Sequence, residues 1–282
     1  MSDHEPAQQN HQGCPQHTEA RGIPTKTAML PHAARIRQIV PESARAKSFV
    51  LEDSVEAVPG QFVMVWLPGL NEKPFSLAND DPLTLVVAQV GPFTTALHRL
   101  DVGDWLWWRG PFGRGYTLPD SQNASHGDDT SSLLLVGGGY GVAPLLFLAR
   151  RARAANWRTT VIVGAKTKED VLLDDHLAAL GCATILCTED GSAGQQGMAT
   201  DIADEFMQQA EPHTIPMVYG CGPQAMLEAL RAICRKHVLP CQLSYEGFMK
   251  CGFGICGSCA WHGLLICRDG PVLAWSANGE LW

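Results

Sequence analysis

The chain has 282 residues, and at roughly 150 residues per domain that length fits two domains with a small addition. Apolar residues make up 45% and charged residues 18%, which excludes a wholly disordered chain and permits sizeable cores. The formal charge of -8, from 21 Lys+Arg against 29 Asp+Glu, excludes broad electrostatic binding of nucleic acid or anionic membrane as the default role.

Residues 1–30 are rich in Gln, His, Pro and small polar types and read as a disordered tail. His4, His11, Cys14 and His17 match no common metal spacing and read as part of it. The start has no basic segment leading into an apolar one, and no apolar run reaches the ~18 residues of a membrane span. A cytoplasmic, reducing compartment is the expectation, and clustered cysteines there mean metal or redox chemistry rather than a disulfide framework.

Residues 31–119 carry short alternating runs (ARIRQIV, KSFVLE, QFVMVWLP, LTLVVAQV, DWLWWRG) broken by Gly, Pro and Asp. A short helical patch near TTALHRL is the exception. This predicts a small antiparallel barrel or sandwich. Within it, Lys73-Pro74-Phe75-Ser76, Gly91-Pro92-Phe93-Thr94-Thr95 and Gly110-Pro111-Phe112-Gly113 each read as a turn with an exposed aromatic. A lysine, a hydroxyl and an aromatic within four residues also suit a phosphate, a ring nitrogen and a flat ring.

Residues 120–131 (DSQNASHGDDTS from its Asp) are polar and turn-rich and read as a linker. Over 132–246 apolar strands alternate with amphipathic helices: LLLVGG, APLLFLARRARAAN, TTVIVGA, VLLDDHLAAL, ATILCTED, MATDIADEFMQQ, PMVYGCG, PQAMLEALRAICRKH and CQLSYE. That order predicts a parallel sheet covered on both faces. The turn holding Gly137, Gly138, Gly139 and Gly141 joins a strand to a helix, a place where free N–H groups suit a pyrophosphate. It is not the standard dinucleotide fingerprint, since the run from Gly139 is G-x-G-x-x-P. Cys221, Gly222 and Pro223 form a second strand-to-helix turn in the same domain; a buried structural thiol is the bland reading of Cys221.

Residues 247–282 are Gly- and Cys-rich without a periodic core, so a staple is expected. Four of the ten cysteines fall here: Cys251, Cys256, Cys259 and Cys267, spaced C-x4-C-x2-C-x7-C. The x4 and x2 separations in a Gly-rich loop fit the plant-type [2Fe–2S] pattern. Zinc is the rival, although it prefers two close pairs, and Cys241 competes with Cys267 for the fourth place.

Taken in order, these motifs resemble the ferredoxin–NADP reductase superfamily, and within it the electron-transfer subunits of class 1B dihydroorotate dehydrogenase, over about residues 32–275. KPFS is similar to that family's Arg-x-x-Ser flavin motif, VGPFTTAL to its flavin-diphosphate segment and GPFGRGY to its glycine turn. LLLVGGGYGVAPLLFLA, TEDGSAGQQG and YGCGPQAMLEAL resemble its nicotinamide signatures, and MKCGFGICGSCAW with CRDGPVL its cluster loop. The resemblance implies an antiparallel FAD-binding β-barrel (31–119), a linker (120–131), a Rossmann-like parallel α/β NAD domain (132–246) and a [2Fe–2S] region (247–282).

By that resemblance Lys73, Pro74, Phe75, Ser76, Val87, Gln89, Gly91, Thr94 and Thr95 hold FAD. Gly137, Gly138, Gly139, Gly141, Asp190, Cys221, Gly222 and Pro223 hold NAD(H). Ser76 and Cys221 lie at the reacting flavin and nicotinamide edges, and Cys251, Cys256, Cys259 and Cys267 bind the cluster. The implied partner is a catalytic FMN subunit that oxidises dihydroorotate, assembled as a heterotetramer for pyrimidine biosynthesis. Lys73 replaces the motif's Arg, which keeps charge but loses the bidentate fork. Glu189 and Asp190 would favour NAD by repelling a 2′-phosphate, Lys166 and Lys168 argue the other way, and all four also read simply as solvated loop charges. The alternatives are a flavin reductase subunit serving ferredoxin, a hydrogenase or a sulfide dehydrogenase, and a non-catalytic zinc-bearing binding module.

Overall fold

The structure, a computed structural model, describes residues 29–120, 131–211 and 213–282. The tail histidines, Cys14 and most of the expected linker lie outside them. Six antiparallel strands close a barrel: β1 (His32–Pro41), β2 (Ala46–Leu51), β3 (Phe62–Trp66), β4 (Glu72–Asp80), β5 (Leu83–Ala88) and β6 (Trp105–Phe112), in the order β1-β2-β5-β4-β3-β6. Period-two alternation builds its core, with Leu83, Leu85 and Val87 of β5 turned inward against Phe49 and Leu51. Helix α1 (Pro92–Leu97) packs Phe93 and Leu97 into the same core.

The three aromatic motifs are not all turns. KPFS lies inside β4, and Gly110–Phe112 ends β6. Their aromatics point inward: Phe93 and Phe112 are buried, and Phe75 stacks on Phe93 at 6.1 Å. Strand β4 is half-buried through Lys73–Ser76 and shows no alternation there, so no periodic signal marks it as a strand.

The second sheet runs β10-β9-β8-β7-β11-β12-β15. Its parallel strands are β7 (Ser132–Gly138), β8 (Arg158–Ala165), β9 (Ala183–Thr188), the short β10 (Gln195–Gln196), β11 (Val218–Cys221) and β12 (Cys241–Ser244). Leu133 and Leu135 face α2 (Val142–Ala154) and α3 (Asp174–Ala179), while Leu134 and Val136 face α4 (Ala199–Gln209) and α5 (Gln224–Lys236). Both faces are therefore covered, which is why these strands are apolar throughout. The helices carry matching stripes: Leu227, Leu230 and Cys234 on α5, and Ala199, Ile202, Ala203 and Met207 on α4. Helix α3 is shorter than its periodicity predicts. Leu172 and Leu173 are buried before it begins, Leu173 in left-handed backbone.

Beyond residue 246 the chain forms a small hairpin, β13 (Ala260–Trp261) and β14 (Leu264–Leu265), then the turn α6 (Ile266–Asp269) and strand β15 (Val272–Trp275). Strand β15 is antiparallel to β12 and adds an edge to the α/β sheet, so the sheet draws on sequence expected to belong wholly to the cysteine region.

The segment leaving β6 locks the parts together. Arg114 N donates to Gly270 O at 2.5 Å, and Val272 N to Arg114 O at 3.4 Å. Gln242 Nε2 donates to Thr117 O (2.8 Å) and Oγ1 (2.9 Å), and its Oε1 accepts from Thr117 N (2.8 Å). Tyr116 OH donates to Gly220 O at 2.9 Å. Phe147 of α2 is buried in the barrel core itself. Tyr116→Phe removes one buried hydrogen bond across this junction and is expected to cost about 1 kcal/mol in a chemical denaturation midpoint, with secondary structure retained.

Candidate active site

The order of the sheet reverses between β8-β7 and β11-β12, and a cleft of about 620 Å³ opens beside the ends of β7, β8 and β11. Gly138, Gly139 and Gly141 line it together with Gly222 and Pro223, and the two glycine turns pack directly against each other. Close approach explains the glycines. A Cβ on residue 141 would stand 2.3 Å from the Cys221 carbonyl oxygen and 2.7 Å from Gly222 N; one on Gly138 would meet Met226 Sδ at 2.5 Å. Gly137 lies beneath, where a Cβ would strike Val142. The 13-residue helix α2 starts at this cleft, so its free N–H groups and dipole favour an anion there.

Cys221 sits under the cleft rather than in its lining. Burial pushes its thiol up to about 12, with Ser244 and Tyr116 as its hydrogen-bonding neighbours. It is a neutral thiol at physiological pH, not a nucleophile. Glu189 and Asp170 line the cleft's far corner with Lys166. Asp190 turns away, its Oδ1 accepting from Ser192 N (3.0 Å) and Oγ (2.6 Å).

In the barrel, Lys73–Ser76 form a half-buried strand paired with β3. Lys73 Nζ lies 5.8 Å from the ring of Phe248, which is 65% exposed, and Lys250 Nζ lies 5.6 Å from it. Val87 is different: its side chain is in the barrel core and its carbonyl accepts from His98 Nε2 at 2.8 Å. Thr94 Oγ1 caps α1, accepting from Val90 N (2.9 Å) and Gly91 N (3.0 Å). Thr95 and Gln89 line a separate hollow of about 270 Å³ with Lys47 and Arg99.

The four cysteines of 251–267 form two thiol pairs, Cys251 with Cys256 and Cys259 with Cys267. Among the described residues no three His, Cys, Asp or Glu side chains converge on one ion. The two pairs would supply two sulfurs to each of two irons, or four to one zinc. Backbone N–H groups point at the sulfurs: Gly254 N to Cys267 (3.2 Å), Ile255 N to Cys251 and Cys267 N to Cys259 (both 3.4 Å). Hydrogen bonds from the Ser258 hydroxyl and backbone lower Cys256 to about 6, while burial raises Cys267 to about 12. A bound metal cation deprotonates such a thiol outright. Cys241 is elsewhere, buried beside Cys234, and does not compete for the fourth place.

Residues 135–232 match the oxidoreductase NAD-binding domain, and residues 246–276 match the iron–sulfur cluster binding domain of dihydroorotate dehydrogenase B. The chain is 42% identical over 227 residues to a Thermococcus kodakarensis protein named "Probable dihydroorotate dehydrogenase B (NAD(+)), electron transfer subunit", covering 80% of this chain and 88% of the relative. A Methanocaldococcus jannaschii protein of the same name is 37% identical over 244 residues, covering 86% and 89%. The chain belongs to the dihydroorotate dehydrogenase B electron transfer subunit family. Among solved structures, an NADH-dependent reduced ferredoxin–NADP oxidoreductase superposes with a TM-score of 0.74 at 26% identity, covering 88% of this chain and 89% of that one. Ferredoxin–NADP+ reductase from Plasmodium falciparum shares the fold at a TM-score of 0.58 and 13% identity, covering 73% and 91%.

Sequence reasoning missed Arg45, Glu246 and Met226 in the cleft wall of this family member, and Phe248 beside Lys73. Arg45 lies in the bend between β1 and β2 and Met226 in the first turn of α5, but no motif there points to the cleft. Gly141→Ala is expected to force backbone apart at the cleft, at about 1–3 kcal/mol of stability. It should weaken ADP-ribose binding by calorimetry at least tenfold, roughly 1.4 kcal/mol.

Proposed function

We propose that this subunit passes electrons between NAD(H) and a catalytic subunit that oxidises dihydroorotate, through FAD and a [2Fe–2S] cluster. The observation that carries this reading is the path of residues 246–251. Glu246 lines the nucleotide cleft, Phe248 lies over Lys73 of β4, and Cys251 opens the thiol loop. Six consecutive residues touch the three places where the three cofactors are expected.

The groups present fit those cofactors. The glycine cradle admits a pyrophosphate, the β4 run offers a cation and a hydroxyl beside aromatic surface, and the cysteine loop offers four sulfurs with inward N–H donors. Flavin exchanges two electrons with nicotinamide and single electrons with a cluster, which is the chemistry this order of sites requires. Lys73 would neutralise flavin phosphate, Ser76 would hydrogen-bond the flavin ring edge, and Gly91, Thr94 and Thr95 would line the diphosphate. Gly222 and Pro223 leave room for the nicotinamide half, and the protonated Cys221 beneath packs as a neutral group. Hydride transfer needs no general base, and the chain's work is to position, to exclude water and to set charge.

The heterotetramer with an FMN-containing chain and the cytoplasmic setting are part of the same proposal. No described helix is long and apolar enough to cross a membrane. Co-purification tests the partner: an FMN-bearing chain is expected, and capture of ferredoxin or a hydrogenase instead would redirect the assignment.

The cofactors are tested by spectrum and mutation. The anaerobically purified protein is expected to show flavin bands and an iron–sulfur shoulder. Cys256→Ser should abolish the cluster's paramagnetic signal while flavin content and NADH-to-dye activity persist; a colourless protein with stoichiometric zinc would refute the electron-transfer role.

Nucleotide choice rests on Glu189 and Asp170, whose two carboxylates line the cleft against the single cation of Lys166. NADH is expected to outperform NADPH with an artificial acceptor. Glu189→Arg should narrow that preference at least tenfold, roughly 1.4 kcal/mol, through NADPH KM. Equal rates in the unmodified protein would remove Glu189 from this role.

A further inference from the structure

Arg109 of β6 is a buried cation with three partners. Its Nε donates to Glu72 Oε1 and its Nη2 to Glu72 Oε2, both at 2.6 Å, a bidentate pair across the barrel wall. The same Nη2 donates to the backbone carbonyl of Cys251 at 2.7 Å. The guanidinium is 9% exposed at the residue level and lies over the rings of Phe112 (5.2 Å) and Phe253 (5.6 Å). Phe112 belongs to the barrel and Phe253 to the cysteine loop, so one planar group is stacked by both bodies it joins.

The contact is tight on both sides. Gly252 has φ +83°, and a Cβ there would stand 2.9 Å from Met64 Cγ and 3.3 Å from Phe112. The loop therefore lies directly on strands β3 and β6. Glu72 adjoins Lys73, the first residue of the flavin-side motif. The chain Glu72–Arg109–Cys251 is thus a continuous charged and hydrogen-bonded link from that motif to the first cysteine.

We propose that Arg109 is a positioning residue that fixes the cluster loop against the flavin barrel, and that the Glu72–Arg109 pair sets the reduction potential of the cluster through its orientation. This rests on the electron-transfer reading above. Reduction adds negative charge to a cluster, and potential follows nearby charge and hydrogen bonding. The guanidinium lies on the cysteine side of the pair and the carboxylate on the far side. Losing Arg109 leaves the half-buried Glu72 carboxylate unpaired near the loop and lowers the potential. Losing the charge of Glu72 leaves the guanidinium uncompensated and raises it. Lysine cannot replace the fork, because it makes no planar bidentate pair and stacks poorly between two rings.

The test uses the full chain, purified anaerobically with its flavin and cluster, as Arg109→Gln, Arg109→Lys and Glu72→Gln. Midpoint potentials come from titrations followed by electron paramagnetic resonance, and cluster retention from the rate of iron loss to a chelator. Flavin reduction by NADH in the same samples reports whether the barrel is intact. Arg109→Gln should shift the potential down and Glu72→Gln up. Arg109→Gln and Arg109→Lys should both lose iron about tenfold faster, the usual cost of removing an outer-shell partner.

Opposite shifts cannot come from loop loosening alone, which would move both variants the same way. Shifts of one sign, or unchanged potentials with normal iron retention, overturn the proposal. If Arg109→Gln retains too little cluster to titrate, Arg109→Lys and Glu72→Gln decide: the proposal stands only if Glu72→Gln rises and Arg109→Lys stays near the unmodified value. Unmodified protein without any cluster would instead overturn the functional reading itself.

Discussion

Residues 113–117 carry more of this architecture than any other short segment. They leave the barrel, pair with the strand that follows the cysteine loop through Arg114, and bond to β11 and β12 through Tyr116 and Thr117. Barrel, parallel sheet and thiol loop are therefore held to one another here by hydrogen bonds that mostly end on backbone groups. Gly60 and Gly113 pack where that crossing leaves no room: a Cβ on Gly113 would meet the Gly270 carbonyl at 2.6 Å, and one on Gly60 would meet Val272 and Tyr116. Electron transfer between three separately bound groups needs such fixed geometry, since no diffusing intermediate connects them.

Charge is distributed to match. The nucleotide cleft combines a helix start and Arg45, which favour phosphate, with Glu189 and Asp170 at one corner. Around the thiol loop stand N–H dipoles, the buried Arg109 guanidinium on the Cys251 carbonyl and the half-exposed Arg268 beside Gly254. Two further contacts between bodies, Arg151 with Asp80 and His176 with Glu42 (3.3 Å), each join a half-exposed base to a largely buried carboxylate. Burial decides the other thiols: Cys187 and Cys221 are pushed up to about 11 and about 12, which keeps them protonated and inert.

The parallel sheet was legible in the sequence because both faces are covered, so its strands are unbroken apolar runs and its helices carry clean stripes. The cysteine spacing was legible because sulfur chemistry restricts it. Strand β4 was not, since its half-buried residues meet solvent on one side and neighbouring bodies on the other, which removes alternation. Strand β15 was hidden for a related reason: Val272–Trp275 has no register of its own and becomes a strand only because β12 offers a free edge.

The sequence alone determined the order of parts, the glycine turns at the strand ends and the four loop cysteines, because each follows from local backbone or ligand chemistry. Tertiary structure decided which of two acidic neighbours lines the cleft: Glu189 does, while Asp190 is held by Ser192. It decided that Cys241 stands apart from the loop and that Cys267 pairs with Cys259. It also brought Arg109, 142 residues away in the chain, onto the carbonyl of Cys251. Such choices depend on which side chains the packed bodies bring within hydrogen-bonding range, and sequence spacing carries no record of that.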